Sequence, residues 1–179
     1  EIFGGYFWYG RMNEDIAGTP VDRFRRHYFD RDHDEYLQTV MPAYHGVDYT
    51  AQTVSGYLNA PEADTFLDQV LRMDATMLIT DAPGKRVDNM TMAWGLEARV
   101  PFLDHELVEL AAQMPPELKL QSGGKHLLKR IARGLVPDAV IDRSKGYFPM
   151  PALKYVRGDF LDFMQDILNS QACRERGVY

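Results

Sequence analysis

The sequence predicts a mostly α-helical chain, and three observations carry that prediction. Apolar residues from position 64 onward recur at helical rather than alternating spacing. Helix-starting and helix-stopping residues punctuate the same region. No convincing alternating strand interrupts it.

The elements follow in order. The aromatic and charged segment Arg11–Ala60 reads as irregular structure with short helices. After a start at Asn59-Ala60-Pro61, Phe66, Leu67, Val70, Leu71, Met77 and Leu78 predict a helix running from Asp64. Asp88–Trp94 predicts another, with Met90, Met92 and Trp94 as core. Asp104 is the expected N-cap of a third, whose buried stripe is Leu107, Val108, Ala111 and Met114, and Pro115-Pro116 stops it. Gly123-Gly124 precedes a helix over Lys125–Leu135, with Leu127, Leu128, Ile131 and Leu135 on one face. Pro137-Asp138 starts a short helix and Gly146–Pro151 reads as a loop. Two helices close the chain, around Leu153–Arg157 and over Asp159–Leu168, with a break at Gly158.

Composition limits the function classes. At 179 residues and 45% hydrophobic, the chain can build one good core and is read as a single segment, 1–179. No apolar run approaches the length of a membrane span, so a membrane is not expected as a partner. The net charge of −6 argues against generic nucleic-acid binding. Charge is uneven, however: between Glu117 and Gly158 nine basic residues face three acidic ones. A basic third on an acidic chain suggests a local anion site, although most of these residues are ordinary solvated positions. Cys173 is the only cysteine, which excludes an internal disulfide and suits a reducing cytoplasm.

The stretch Gly95–Asp104 is chemically the most informative. It sets Glu97, Arg99 and Asp104 among Trp94, Leu96, Val100, Phe102 and Leu103, so partial burial of the charges is expected. Buried charge is costly unless paired or bound to something charged. Either Glu97 and Arg99 form an internal pair fixing a loop, or they wall a site for a charged ligand. Gly123-Gly124-Lys125 is the second candidate. Glycines ahead of a helix let backbone N–H groups approach an anion, and a lysine in the first turn opposes the helix dipole unless an anion binds there. An exposed, frayed lysine is the equal alternative.

Other motifs fail. Asp30-Arg31-Asp32-His33-Asp34 opens like a calcium loop but has Glu35 where glycine is required and Met41 at the bidentate position, so it reads as a helix-start cluster or solvated turn. The five histidines lack metal-ligand spacing, and no metal ligand set is expected within the segment. Gly123-Gly124-Lys125 is not a Walker loop.

Four motifs in order resemble the synthetase domain of glutamine-dependent asparagine synthetases. Glu1-Ile2-Phe3-Gly4-Gly5-Tyr6 is similar to the end of that family's Asp-Glu-x-Phe-Gly-Gly-Tyr motif. Arg86–Ala93 running into Gly95–Asp104 is similar to its Lys/Arg-x-Asp-x-x-x-Met-Ala helix and the Leu-Glu-Ala-Arg-Val-Pro-Phe-Leu-Asp that follows. Pro115-Pro116-Glu117-Leu118-Lys119-Leu120 leads to Lys125-x-Leu-Leu-Lys-Arg in the same way, and Arg143–Pro151 resembles the family's Arg-x-Lys-x-Gly-Phe-x-x-Pro loop. Phe7-Trp8-Tyr9 and Phe29–His33 most resemble the N-acetylglutaminylglutamine amide synthases within it, bacterial enzymes of osmolyte synthesis.

The resemblance implies an ATP-dependent amide ligase with Mg2+ that adenylates a carboxylate acceptor and transfers ammonia derived from glutamine. The chain would be the helical C-terminal part of an α/β, PP-loop ATP pyrophosphatase-like domain. Its expected partners are these small molecules, the upstream synthetase and glutaminase regions of the parent chain, and a second copy in a homodimer. Lys125 is then the catalytic residue contacting phosphates, while Glu1, Gly4, Gly5, Asp88, Glu97, Arg99, Gly123 and Gly124 support the site. The family's Ser-Gly-Gly-x-Asp-Ser loop does not occur in this sequence, and its magnesium-binding Asp would immediately precede Glu1. Lys145 is followed directly by Gly146, one residue short of the family spacing. The segment alone is therefore expected to be inactive. A non-catalytic helical scaffold that keeps Gly95–Asp104 as a structural ion pair is the alternative.

Overall fold

The computed structural model describes residues 1–61, 63–144 and 156–179. Among them the chain is helical, without strands beyond one isolated bridge between Arg133 and Val136. The residues fall into two compact units, 1–29 with 49–141, and 30–48 with 142–179.

In the first unit, the short helices expected among irregular structure over Arg11–Ala60 are well defined: α2 (Pro20–Tyr28) and α4 (Tyr49–Leu58), preceded by α1 (Phe7–Glu14). The reason is local at α2. Thr19 Oγ1 accepts from the Asp22 N–H at 3.2 Å while Asp22 accepts from the Thr19 N–H at 2.9 Å, a complete capping box, and Pro20 holds the first helical position. The Thr19 hydroxyl, which donates to Asp22 Oδ2 at 2.7 Å, and the Thr19 N–H hold the Asp22 carboxyl below its ordinary value. Asp15 fixes the α1–α2 corner: the Ala17 N–H, then Arg26 and His27, keep its carboxyl down at about 2.

A single helical run replaces the two expected helices between 64 and 94. It starts at Thr65, not at Asn59–Pro61, with α5 (Phe66–Met73). It continues through two wide, π-type turns, Asp74–Leu78 and Thr80–Gly84, into α6 (Lys85–Met92). The wider turns accommodate Pro83, which has no N–H to donate. Gly84 packs so closely on the Ile79 carbonyl that an added Cβ would lie 2.7 Å from its oxygen. The run ends in a Schellman motif: Gly95 takes φ +69°, its N–H donates to the Met92 carbonyl, and the Leu96 N–H reaches back to Thr91.

Beyond this run lie α7 (His105–Ala112), α8 (Pro116–Leu120), α9 (His126–Ala132) and α10 (Asp138–Ile141). Asp104 caps α7 as expected, accepting from the Glu106 N–H at 3.0 Å, and Ala111 is its buried stripe residue. The face expected on α9 is not buried: the helix stops at Ala132, Ile131 is exposed and Leu135 is 81% exposed.

The core packs α1, α2 and α4 against α5 around Tyr9, Met12, Phe24, Leu58, Leu67 and Val70. Asp74 is fully buried at its edge. The Tyr9 hydroxyl donates to Asp74 Oδ2, and the Tyr28 hydroxyl donates to Oδ1 at 3.4 Å. Burial lifts the Asp74 carboxyl to about 6, against the pull of the Tyr9 hydrogen bond. Desolvation, reinforced by the Asp74 charge, likewise raises both phenols.

In the second unit, α3 (His33–Thr39) is capped by Asp32, which accepts from the Glu35 N–H at 2.9 Å. The failed calcium loop is thus a helix start. Helices α11 (Gly158–Leu168) and α12 (Gln171–Arg176) match the final expected helix and add one. The Met41 N–H donates to the Val178 carbonyl at 2.9 Å, tying the two pieces of this unit together. The Gly146–Pro151 loop, most of the Leu153–Arg157 helix and most of the Arg143–Pro151 motif lie outside the described residues.

The buried acid sets a pH dependence. Between about pH 4 and 6 native Asp74 keeps a proton that the unfolded chain releases, so its contribution to stability falls as pH rises through that window. Wild type should lose on the order of 3 kcal/mol relative to Asp74→Asn between pH 4 and 7 in urea denaturation. Parallel profiles would exclude a raised Asp74 carboxyl.

Candidate functional site

The sequence candidates Gly4, Gly5, Gly124 and Lys125 meet in space, although about 120 positions separate the two pairs. Gly4 turns back at φ +63°, and its N–H donates to the Glu1 carbonyl at 2.8 Å. Gly124, at φ +91°, lies directly on that turn, where an added Cβ would fall 2.2 Å from the Gly4 carbonyl oxygen. The Lys125 N–H donates to the Phe3 carbonyl at 3.1 Å. Its side chain runs across Gly5, whose hypothetical Cβ would lie 2.3 Å from Lys125 Cε. Glycine at 124 is thus required by contact between backbones, and glycine at 5 leaves room for the Lys125 side chain.

Two expectations about this turn need correction. Lys125 is not in the first helical turn; it precedes α9 in the left-handed region, with φ 56° and ψ 27°. A non-glycine residue there is strained, a feature that clusters at functional sites. Nor are the Gly124 and Lys125 amides free for an anion. The Gly124 N–H donates to the Leu120 and Gln121 carbonyls and the Lys125 N–H to Phe3. Lys125 itself is exposed, on its left-handed backbone. Gly123, at φ +75°, shapes the bend and contacts nothing with its Cα face.

Glu1 accepts from the Tyr6 hydroxyl at 3.1 Å, and burial together with the Glu1 charge raises the Tyr6 phenol. Asp88 is exposed on α6 and lines an open cleft of about 650 Å³ with Ile2, Asp81 and Lys85. Glu97 and Arg99 do pair, at 3.0 Å, but on the surface. The expected burial is wrong for the whole stretch: Trp94 is 85% exposed, and Met90, Met92, Leu96, Val100, Phe102 and Leu103 are exposed as well. The helix that leads into this stretch buries none of its own residues, and an exposed pair of this kind is worth under about 1 kcal/mol. One contact ties this stretch to the N-terminal turn: Phe102 meets buried Phe3 edge-on at 6.4 Å. No contact joins Glu97 or Arg99 to Lys125 among those described.

Two groups escaped the sequence reading. Asp74 falls on the apolar stripe of Leu67, Val70 and Leu71 at helical spacing, and a carboxylate on such a stripe is the signal that could have found it. Lys119 is buried between Leu118 and Leu120, and its ammonium donates to Asp68 Oδ1 at 3.5 Å. No group of three or more His, Cys, Asp or Glu residues able to hold a metal occurs among the described residues. No helix among them is long and apolar enough to cross a membrane.

The asparagine synthase family model matches residues 1–179, the entire sequence. The chain belongs to the asparagine synthase family. Over 84 residues it is 39% identical to the glutamine-hydrolyzing asparagine synthetase 1 of Bacillus subtilis (strain 168), covering 46% of this chain and 13% of that protein. Over 132 residues it is 34% identical to a putative glutamine-hydrolyzing asparagine synthetase of Mycobacterium bovis, covering 71% and 20%. With asparagine synthetase 3 of Bacillus subtilis the identity is 28% over 153 residues, covering 83% and 25%. The chain thus spans a quarter or less of these family members. No solved structure matches it.

The contact between the two glycine turns predicts unequal costs. Gly124→Ala should lose about 3 kcal/mol or more, because both its φ and the Gly4 carbonyl oppose a Cβ. Gly123→Ala, strained but in open space, should lose about 1 kcal/mol. Equal losses in denaturant titrations would remove the close-contact account.

Proposed function

We propose that the parent protein is an ATP-dependent, glutamine-using amide ligase and that this segment supplies the phosphate-facing lysine of its synthetase site. One observation carries the reading: in a member of the asparagine synthase family, the Glu1–Tyr6 turn and Lys125 come together on a strained backbone.

In this reading an acceptor carboxylate oxygen attacks the α-phosphorus of ATP. The new oxygen–phosphorus bond displaces pyrophosphate and leaves an acyl-adenylate. Ammonia released from glutamine then attacks the acyl carbon and AMP departs, leaving the amide. Charge builds on the phosphoryl oxygens in the first step, and a fixed cation aimed there lowers the barrier. Lys125 fills that role, with Gly5 leaving room for its side chain. The described residues do not themselves assemble a magnesium site. Glu1 positions the turn through Tyr6, while Asp88, Glu97 and Arg99, which make no described contact with Lys125, support the wider site. The acceptor is aspartate or, on the likeness of Phe7-Trp8-Tyr9 and Phe29–His33, a short peptide terminus such as that of N-acetylglutaminylglutamine. A homodimer in a reducing cytoplasm completes the reading.

Lys125→Met in the full-length protein should slow acceptor-dependent pyrophosphate release by about a hundredfold or more, the scale of losing one charge-stabilising group. Gly5→Ala should lower the same rate by displacing the Lys125 side chain, with little change in melting temperature. Pyrophosphate release near the wild-type rate in Lys125→Met would leave the segment a helical scaffold.

A further inference from the structure

A cleft of about 290 Å³ opens among α5, α7 and α8 and takes no part in the proposed reaction. Its deepest polar group is Lys119, whose side chain is only 2% exposed. Burying an ammonium is costly, and a single contact at 3.5 Å to Asp68 Oδ1 compensates it incompletely. Asp68 is itself shared, since its Oδ2 accepts from the Thr65 hydroxyl at 2.7 Å. Asp64 lies on the exposed rim and the Arg72 guanidinium on the wall.

These four groups decide what fits. Two cations and two carboxylates leave the lining without net charge. A simple anion would meet Lys119 but also face Asp64 and Asp68, and a simple cation would face Lys119 and Arg72. A zwitterion avoids both penalties. With its carboxylate at Lys119 and its ammonium at Asp68, its dipole lies antiparallel to the Lys119–Asp68 dipole, and Leu71 and Val108 offer an apolar wall for a side chain. The volume, at the small end of ligand cavities, suits a single residue rather than a peptide or nucleotide.

We propose that this cleft binds one free α-amino acid, at a site distinct from the Lys125 turn. The proposal stands without the ligase reading and is tested in the absence of ATP. Isothermal titration of the full-length protein with L-leucine, 4-methylpentanoate and isoamylamine compares the zwitterion with analogues lacking the ammonium or the carboxylate. L-Leucine should bind, and each analogue should bind at least about tenfold more weakly. Lys119→Met should weaken L-leucine by a similar factor while Lys125→Met leaves its affinity unchanged. Asp64→Asn, a rim substitution that removes no buried group, should weaken it severalfold and keeps the test valid if Lys119→Met does not fold. Absence of heat up to about 10 mM, equal affinity for 4-methylpentanoate, or an unchanged affinity in Asp64→Asn together with either an unchanged or an unfolded Lys119→Met would overturn the proposal.

Discussion

The contact between the Gly4 carbonyl and Gly124 is the constraint on which the candidate site depends. Two backbones touch where even a methyl group would clash. That contact allows the Phe3 carbonyl to accept from the Lys125 N–H and lays the lysine side chain over Gly5. It also forces Lys125 into the left-handed region. Strain of this kind persists only where surrounding structure over-determines it. Here the Lys129 ammonium, which donates to the Ser122 carbonyl at 2.9 Å, and the two carbonyls receiving the Gly124 N–H supply that support.

The buried polar groups make up a second layer of the same design. Asp74 is held by phenols from α1 and α2, so it joins the helix that follows the Glu1–Tyr6 turn to the long run that begins at Phe66. Lys119, whose Cβ adjoins Gly4, reaches Asp68 on that same run. Both arrangements cost desolvation, which their hydrogen bonds offset only in part. They hold the N-terminal turn from two sides, one through α1 and one through α8.

The exposed stretch around Trp94, Leu96, Val100 and Phe102 shows where pattern reasoning fails. Apolar residues beside charges suggest burial, and Glu97 and Arg99, expected either to pair internally or to wall a ligand site, pair on the surface instead. The helix ahead of Gly95 buries none of its residues, and the stretch beyond its left-handed turn is exposed as well. A hydrophobic run specifies a preference for burial; which surface it finds is decided by chain direction. Conversely, the capping box at Thr19-Pro20-Val21-Asp22 was readable in the sequence, and its pattern outweighs the aromatic and charged composition around it.

Sequence alone determined the helical class, the Asp104 cap, the family and the residue types at the Gly123–Lys125 turn. Each is local: a period, a cap or a contiguous motif is complete within a few neighbouring residues. Tertiary structure decided the rest. It brought Gly4 onto Gly124 across the chain, showed that the neighbouring amides are spent on protein carbonyls, and buried Asp74 and Lys119 against partners 65 and 51 positions away. Such pairings depend on how helices pack, and no short window of sequence contains both members.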